Sequence, residues 1–408
     1  MEDKKVIAVV DLGTYNLKCA IFSFNSDGLP QLIGFSKKKT KGIHNSIIVN
    51  INDAIDSIHS CLVEAEKKSQ ISLNKINVLI DPTEIITTRL TKSKKINGSK
   101  IEKNDATFLL KEAKKQVEQN NTRLSNIHIF NYKYVVDNKF FKGLPFNIYA
   151  DQFSQENVFL SVPKNILKNI SEVFHSCDIE INKFISCSYS LGIGCFTQDQ
   201  IDYGCCIVDM GYEKTSLAVF KDSSLVHASS FPIGSNHITK DISRGCYLSE
   251  IESELIKKDI SIINNLDEEL NKNEFLSDKY FSETKFRKIS SKFVKDIIEA
   301  RLDEILNKIF KEINFFQAKS IKQNLIFTGE GSKLNDLKKI INTRLSNCIF
   351  DINFNNLKSF SDINNESLAC YGAVKILTEG FVSEAIAIPK KSQKDKNGFF
   401  TRIFNIFN

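Results

Sequence analysis

The chain has 408 residues, 42% hydrophobic and 25% charged, which suits two or more packed domains and excludes a disordered chain. No apolar run reaches the roughly 18 residues of a spanning helix, and the first one stops at Asp11, too short for a secretion signal, so a cytoplasmic protein is expected. Only seven of the 55 basic residues are arginine, so the net charge of +6 gives no reason to expect a nucleic-acid partner.

Residues 6–24 read as an apolar strand, a polar turn at 13–16 and a second apolar strand. A third strand, 31–36, follows the Asp27-Gly28 turn. Further on, 99–119 has helical spacing with Ala106, Leu109, Leu110, Ala113 and Val117 inward, and 127–136 and 157–162 read as strands. Residues 204–220 then repeat the opening plan: strand, Asp-x-Gly, polar turn, strand. Asp209 and Gly211 each stand 198 positions after Asp11 and Gly13, and 225–231 supplies the third strand again. A Lys/Glu-rich helical block spans 233–304, with an acidic, Asn-rich loop at 264–279. A buried strand at 325–327 opens on a Gly329/Gly331 loop and an amphipathic helix. The ten cysteines show no Cys-x-x-Cys spacing and read as small buried hydrophobes, and none of the six histidines sits in a ligand pattern.

The duplicated tips carry the chemistry. A carboxylate ending a buried strand is costly unless a cation is near. Asp11 and Asp209, one from each half, could face Mg²⁺ held mostly through waters. Gly13 and Gly211 let a phosphate approach the backbone, and the turn N–H groups form an anion nest. Lys18, seven residues after Asp11, can reach the same phosphates. A single Asp-x-Gly marks only a hairpin turn. Two copies with matching flanks point to a phosphate cleft.

After Ala387 the composition shifts to a basic linker, 388–397, and then an amphipathic segment, 398–408. On a helical wheel Phe399, Phe400, Ile403, Phe404, Ile406 and Phe407 fill an arc of about 160°, with polar residues filling the rest. This predicts a helix lying on an anionic membrane surface. One copy binds weakly, and an assembly of many copies binds firmly.

These pieces, in this order, resemble the actin-like ATPase superfamily and within it the bacterial cell-division family FtsA. The resemblance covers nearly the whole chain. It implies an α/β, actin-like fold: two duplicated RNase H-like lobes around a nucleotide cleft, with an inserted α+β subdomain in the first lobe. The corresponding division is 1–83, 162–200 and 360–387 for the first lobe, 84–161 for the insert, 201–232 and 305–359 for the second lobe core, and 233–304 for its outer subdomain. Residues 188–194 and 367–377 fall where the two connecting helices sit. ATP and Mg²⁺ are implied, with Asp11, Gly13, Thr14, Tyr15, Asn16, Lys18, Asp209, Gly211, Tyr212, Gly234, Gly329, Glu330 and Gly331 around the nucleotide. Asp11 and Asp209 would serve the metal.

The chain also departs from the family pattern. The usual Asp-x-Gly-Gly-Gly-Thr becomes Asp209-Met210-Gly211-Tyr212-Glu213-Lys214, and the usual Gly-Gly of the adenosine loop becomes Gly329-Glu330. The bulkier side chains are expected to point to solvent and leave nucleotide binding intact. Fast hydrolysis is put in doubt, and no catalytic residue is assigned. The implied role is an ATP-binding protein that polymerises on the inner face of the cytoplasmic membrane, at the septum. There it anchors the ring of the tubulin-like FtsZ, and its insert serves self-association and contact with later division proteins. The FtsZ C-terminal peptide would meet Arg301, Lys292 and Lys295. The alternatives are an actin-like pilus-assembly ATPase and a nucleotide-free membrane scaffold of the same fold.

Overall fold

The computed structural model describes residues 6–260, 275–316, 324–344, 351–352, 365–381 and 383–385. The expected linker 388–397 and amphipathic segment 398–408 lie outside them. Among the described residues no helix is long and apolar enough to cross a membrane.

The chain opens with an antiparallel meander, β1 (Ile7–Leu12), β2 (Asn16–Phe24) and β3 (Pro30–Lys39), and a short ribbon, β4 (Ile43–His44) with β5 (Ile47–Ile48). Helix α1 (Ile51–Ser69) starts where the Asn50 side chain accepts a hydrogen bond from Asp53 N–H and stops at Gln70 in a left-handed conformation. Its Ala54, Ile58, Cys61, Leu62 and Ala65 recur at helical spacing and pack on β2 and β3. Strand β6 (Lys75–Ile80) then lies parallel to β1.

The insert follows: β7 (Ile86–Lys100), α2 (Lys103–Asn120), β8 (Leu124–Val136), β9 (Lys139–Phe141) and β10 (Tyr149–Pro163), in an antiparallel sheet ordered β7-β10-β8-β9. The helix begins at Lys103 instead of 99, because β7 continues to Lys100 and pairs there with Tyr149. Helix α2 buries Ala106, Leu109, Leu110, Ala113 and Val117, the five residues expected, in a core of its own. The insert also grips the far half of the chain: Thr87 Oγ1 donates to Ala228 O (2.7 Å), and Arg89 donates to Val226 O (3.0 Å).

Next, α3 (Lys164–His175) leads into β11 (Glu180–Ser186), which completes the sheet β3-β2-β1-β6-β11. Two helices, α4 (Cys187–Cys195) and α5 (Gln198–Tyr203), lead into the second copy. It contains β12 (Cys205–Met210), β13 (Thr215–Lys221), β14 (Ser224–Phe231), α6 (Ser235–Cys246), α7 (Glu250–Asp259), α8 (Ser291–Phe315), β15 (Asn324–Thr328), α9 (Leu337–Arg344) and β16 (Asp351–Ile352). Its sheet order, β14-β13-β12-β15-β16, repeats the first: three antiparallel strands, then two parallel ones. The duplication read from 198-residue spacing is therefore a duplication of topology. Between β15 and α9 the expected loop is a 3₁₀ turn, Glu330–Lys333. Cys205 and Cys206, on opposite faces of β12, are both buried, and no described cysteine is in a disulfide.

Helix α10 (Leu368–Glu379) returns to pack on α4. A Cβ at Gly372 would stand 1.8 Å from Ser190 O, so only glycine fits there. Ser190 Oγ donates to Ala369 O across the same contact (2.6 Å). Beyond α10 the chain adds to β8: Asn131 N–H donates to Ser383 O (2.7 Å) and Ala385 N–H to Ile129 O (2.6 Å). Between them Glu384, 4% exposed, meets His128 Nδ1 (2.6 Å), Tyr189 OH (3.0 Å) and Lys183 Nζ (3.3 Å). Ser186 N–H donates to His128 Nε2, which places the ring proton on Nδ1 and makes His128 a neutral donor to Glu384. Lys183 is then the cation that balances the carboxylate. The Glu384 carboxyl falls to about 2: burial opposes ionisation, but Lys183 and then His128 outweigh it.

Candidate functional site

The two Asp-x-Gly hairpins share one register. Asp11 is opposite Lys18 and Leu12 opposite Leu17, while Asp209 is opposite Ser216 and Met210 opposite Thr215. Each carboxylate stands one residue before its strand ends. Asp11 and Lys18, seven apart in sequence, are cross-strand neighbours, and the ammonium lies 3.3 Å from Asp11 Oδ2. The third motif meets the second: Gly329, at φ +84°, passes so close that a Cβ there would stand 2.4 Å from Asp209 Oδ1. Gly331 packs on Met210.

The tips are electrostatically coupled. Burial first, and then the charge of Asp11, raise the Asp209 carboxyl to about 6, against the pull of Lys18 and Lys214. Burial works against the Lys18 ammonium, yet Asp11 and Asp209 outweigh it and raise its pKa above the ordinary lysine value. Three carboxyl groups, of Asp11, Asp209 and Asp81, share the two ammonium groups of Lys18 and Lys214. Among the described residues no group of three or more His, Cys, Asp or Glu is gathered to hold a metal ion.

The structure corrects one expectation: the side chains of the altered loop do not point to solvent. Tyr212 faces Tyr15 of the opposite tip, with ring centroids 4.6 Å apart. Glu213 is buried, accepting from Asn236 Nδ2 (2.8 Å) and Lys240 Nζ (3.2 Å), and lies 3.9 Å from His44 Nε2. Lys214 crosses to the first lobe, donating to Ser46 Oγ (2.8 Å) and to the Asp81 carbonyl. The first N–H groups of α6 are also committed. Ser235 N–H donates to Gly211 O (2.9 Å) and Asn236 N–H to Tyr212 O (2.7 Å), while Gly234 N–H donates to His237 Nδ1 (3.1 Å). On the other tip, Thr14 Oγ1 accepts from Asn45 N–H and Gly13 O from the Thr40 hydroxyl, and Asn16 opens β2. Glu330 is exposed and ion-paired with Lys333 at 3.0 Å. In this arrangement Tyr15 and Tyr212 touch across the tips and Lys18 and Lys214 are paired within the chain, so the triphosphate and Mg²⁺ implied by the resemblance would have to part the tips.

Sequence reasoning missed Asp81, Ser46 and Lys214. Asp81, 2% exposed, follows β6 and accepts from Ser186 Oγ (2.7 Å) and Ser188 N–H (2.7 Å). Burial pushes its carboxyl up, and Lys214 and these donors hold it back. The signal was present: Asp81 also ends a buried strand, the argument that singled out Asp11 and Asp209. The residues expected to take an acidic peptide fare differently. Arg301 Nε and Nη2 already hold both oxygens of Asp241 (2.6 and 3.1 Å), and Nη1 meets Glu304, so its fork is filled from within the chain. Lys292 is exposed and Lys295 half-buried on α8.

Comparison with known proteins agrees with this architecture. A family model described as Cell division protein FtsA matches residues 206–370. The chain is 22% identical over 351 residues to the cell division protein FtsA of Agrobacterium fabrum, covering 81% of this chain and 77% of that protein. It is 23% identical over 336 residues to FtsA of Bacillus subtilis, covering 81% and 74%. Among solved structures it resembles a PilM-PilN type IV pilus biogenesis complex chain (TM-score 0.61, 12% identity, 90% of this chain and 98% of that one). It also resembles MreB 5 of Spiroplasma citri bound to AMPPNP (TM-score 0.53, 14% identity, 92% and 96%). Two lobes of one topology, joined by paired helices and set with their Asp-x-Gly tips against each other, are the actin-like fold, and in sequence the chain is similar to the FtsA cell-division proteins over about four fifths of its length.

Proposed function

We propose that this protein is a membrane-surface adaptor of the division ring. It lies at the cytoplasmic face of the septal membrane, holds lipid through 398–408, and takes the acidic C-terminal peptide of an FtsZ-type partner on its outer subdomain. The observation that carries the reading is similarity to FtsA proteins in a chain where residues 398–408 pair six large apolar residues with a lysine-rich linker. Burying such side chains supplies about 1.5–3 kcal/mol each, and each linker lysine adds up to about 1 kcal/mol on anionic lipid. Ordering a short helix opposes this, so a single tail binds weakly. Self-association multiplies the tails and couples assembly to the membrane. With the Arg301 fork filled, exposed Lys292 is the α8 cation assigned first to the partner peptide, with Lys295 one turn along beside it. ATP and Mg²⁺ enter this reading only as ligands that would have to part the tips, and membrane and ring attachment are assigned to other surfaces.

The test is co-sedimentation of the full chain with anionic liposomes. The full chain is expected to pellet and a chain lacking 398–408 to remain soluble with an unchanged circular-dichroism spectrum. A truncated chain that still pellets refutes the anchor.

A further inference from the structure

We infer that the turn 212–214 is a latch that closes the two lobes in the place of a triphosphate, so that the closed form is independent of nucleotide. Three neighbouring side chains carry the inference, each committed to a different partner. Tyr212 packs on Tyr15, tip against tip, at 4.6 Å between centroids with the rings tilted by 40°. Lys214 places its ammonium on Ser46 Oγ and the Asp81 carbonyl, both in the first lobe. Glu213 fixes the turn between them, held to α6 by Asn236 and Lys240 with His44 of the first lobe beside it.

The receiving side is equally built. Asp81 is locked by Ser186 and Ser188, and Ser188 lies in the first turn of α4, one of the two helices joining the lobes. Ser230 of β14 donates to the same Asp81 carbonyl at 3.4 Å, so two elements of the second lobe meet one residue of the first.

Several groups that would receive a phosphate are already committed, Lys18 and Lys214 among them. The Ser235 and Asn236 N–H groups, which a bound anion would draw at the N-terminus of α6, close onto the Gly211 and Tyr212 carbonyls. A phosphate entering here would separate the tyrosine pair, withdraw Lys214 from two acceptors and face the carboxylates of Asp11 and Asp209. Where the pattern this chain resembles has two glycines and a threonine, Tyr212, Glu213 and Lys214 stand, and their side chains span the tips.

The inference stands apart from the adaptor reading, because liposome binding and closure of the tips are measured separately. The full chain is titrated with Mg-ATP and followed by thermal unfolding and amide hydrogen exchange. At about 1 mM, a hundredfold above a dissociation constant of about 10 µM, a nucleotide bound to the native chain raises the midpoint measurably. No shift is expected. The triple variant Tyr212→Gly, Glu213→Gly, Lys214→Thr is expected to gain one. Lys214→Met is expected to speed exchange at 44–46 and 211–214 by about tenfold or more without nucleotide. A saturable shift in the unaltered chain overturns the inference. Unchanged exchange in Lys214→Met overturns it too, as does a folded triple variant that still ignores Mg-ATP. If the triple variant does not fold, Tyr212→Gly is read in its place on the same terms.

Discussion

Replacing Glu384 with alanine tests whether the segment before the tail is fastened by charge. The side chain is almost fully enclosed and accepts from His128, Tyr189 and Lys183. Its carboxyl moves from the ordinary 4.5 to about 2, a difference worth about 3 kcal/mol of folding free energy at neutral pH. Removing one member of a buried ionic group costs about 3–5 kcal/mol by independent reckoning, so the two figures agree. At roughly 2 °C per kcal/mol for a chain of this size, Glu384→Ala should unfold about 6–10 °C lower in a calorimeter. Glu384→Gln, which keeps the shape and loses the charge, should fall between the two.

The sign with pH follows from the depressed value. The contribution is complete above pH 4.5, the carboxyl's ordinary value, and is lost as pH falls toward 2, so variant and parent should converge in acid. Amide exchange at Ala385 and Asn131, whose N–H groups donate to Ile129 O and Ser383 O, reports whether the loss is local. A variant within about 1 kcal/mol of the parent at pH 7, or one whose deficit persists in acid, refutes the assignment.

Two other perturbations have defined outcomes. Asp209 binds its proton more tightly when folded, about 6 against 3.8, so stability falls as pH rises through that window. Asp209→Asn should therefore stabilise the chain at pH 7.5 by about 1–3 kcal/mol and do nothing at pH 4, as read by urea denaturation at both values. Gly372→Ala places a methyl group inside the Ser190 carbonyl, and a loss exceeding about 3 kcal/mol, or failure to accumulate folded protein, is expected from the same measurement. A mildly affected alanine variant would show that α4 and α10 can move apart.

The parts of the fold legible beforehand were those written in local pattern. Both meanders follow from apolar runs broken by Asp-x-Gly turns, and the register that sets Asp11 opposite Lys18 could be counted from the turn length. The insert helix was legible through five apolar residues at helical spacing, but its start was not. Lys100 looks like a helix residue, and only pairing with Tyr149, far along the chain, keeps it in a strand. The site divided in the same way. Asp11, Lys18 and Asp209 were visible because a carboxylate ending a buried strand demands explanation, while Asp81 and Lys214 went unnoticed. The direction taken by Tyr212, Glu213 and Lys214 was not, because it is decided by partners in the other lobe and in α6. His128 and Glu384 lie 256 positions apart and meet only once insert, sheet and final segment are assembled. Arg301 was read as a free fork because Asp241, sixty residues earlier, could not be seen beside it.

The glycine contact between α4 and α10 has a mechanical consequence. Where backbone rests on backbone there is no cushion of side chains to compress or re-pack, so these helices can roll on one another far more easily than they can separate. They therefore act as an axle. Rotation about an axle grows into displacement with distance, so any signal reaching this protein would be smallest at its hub and largest at its rim, where neighbouring molecules would feel it.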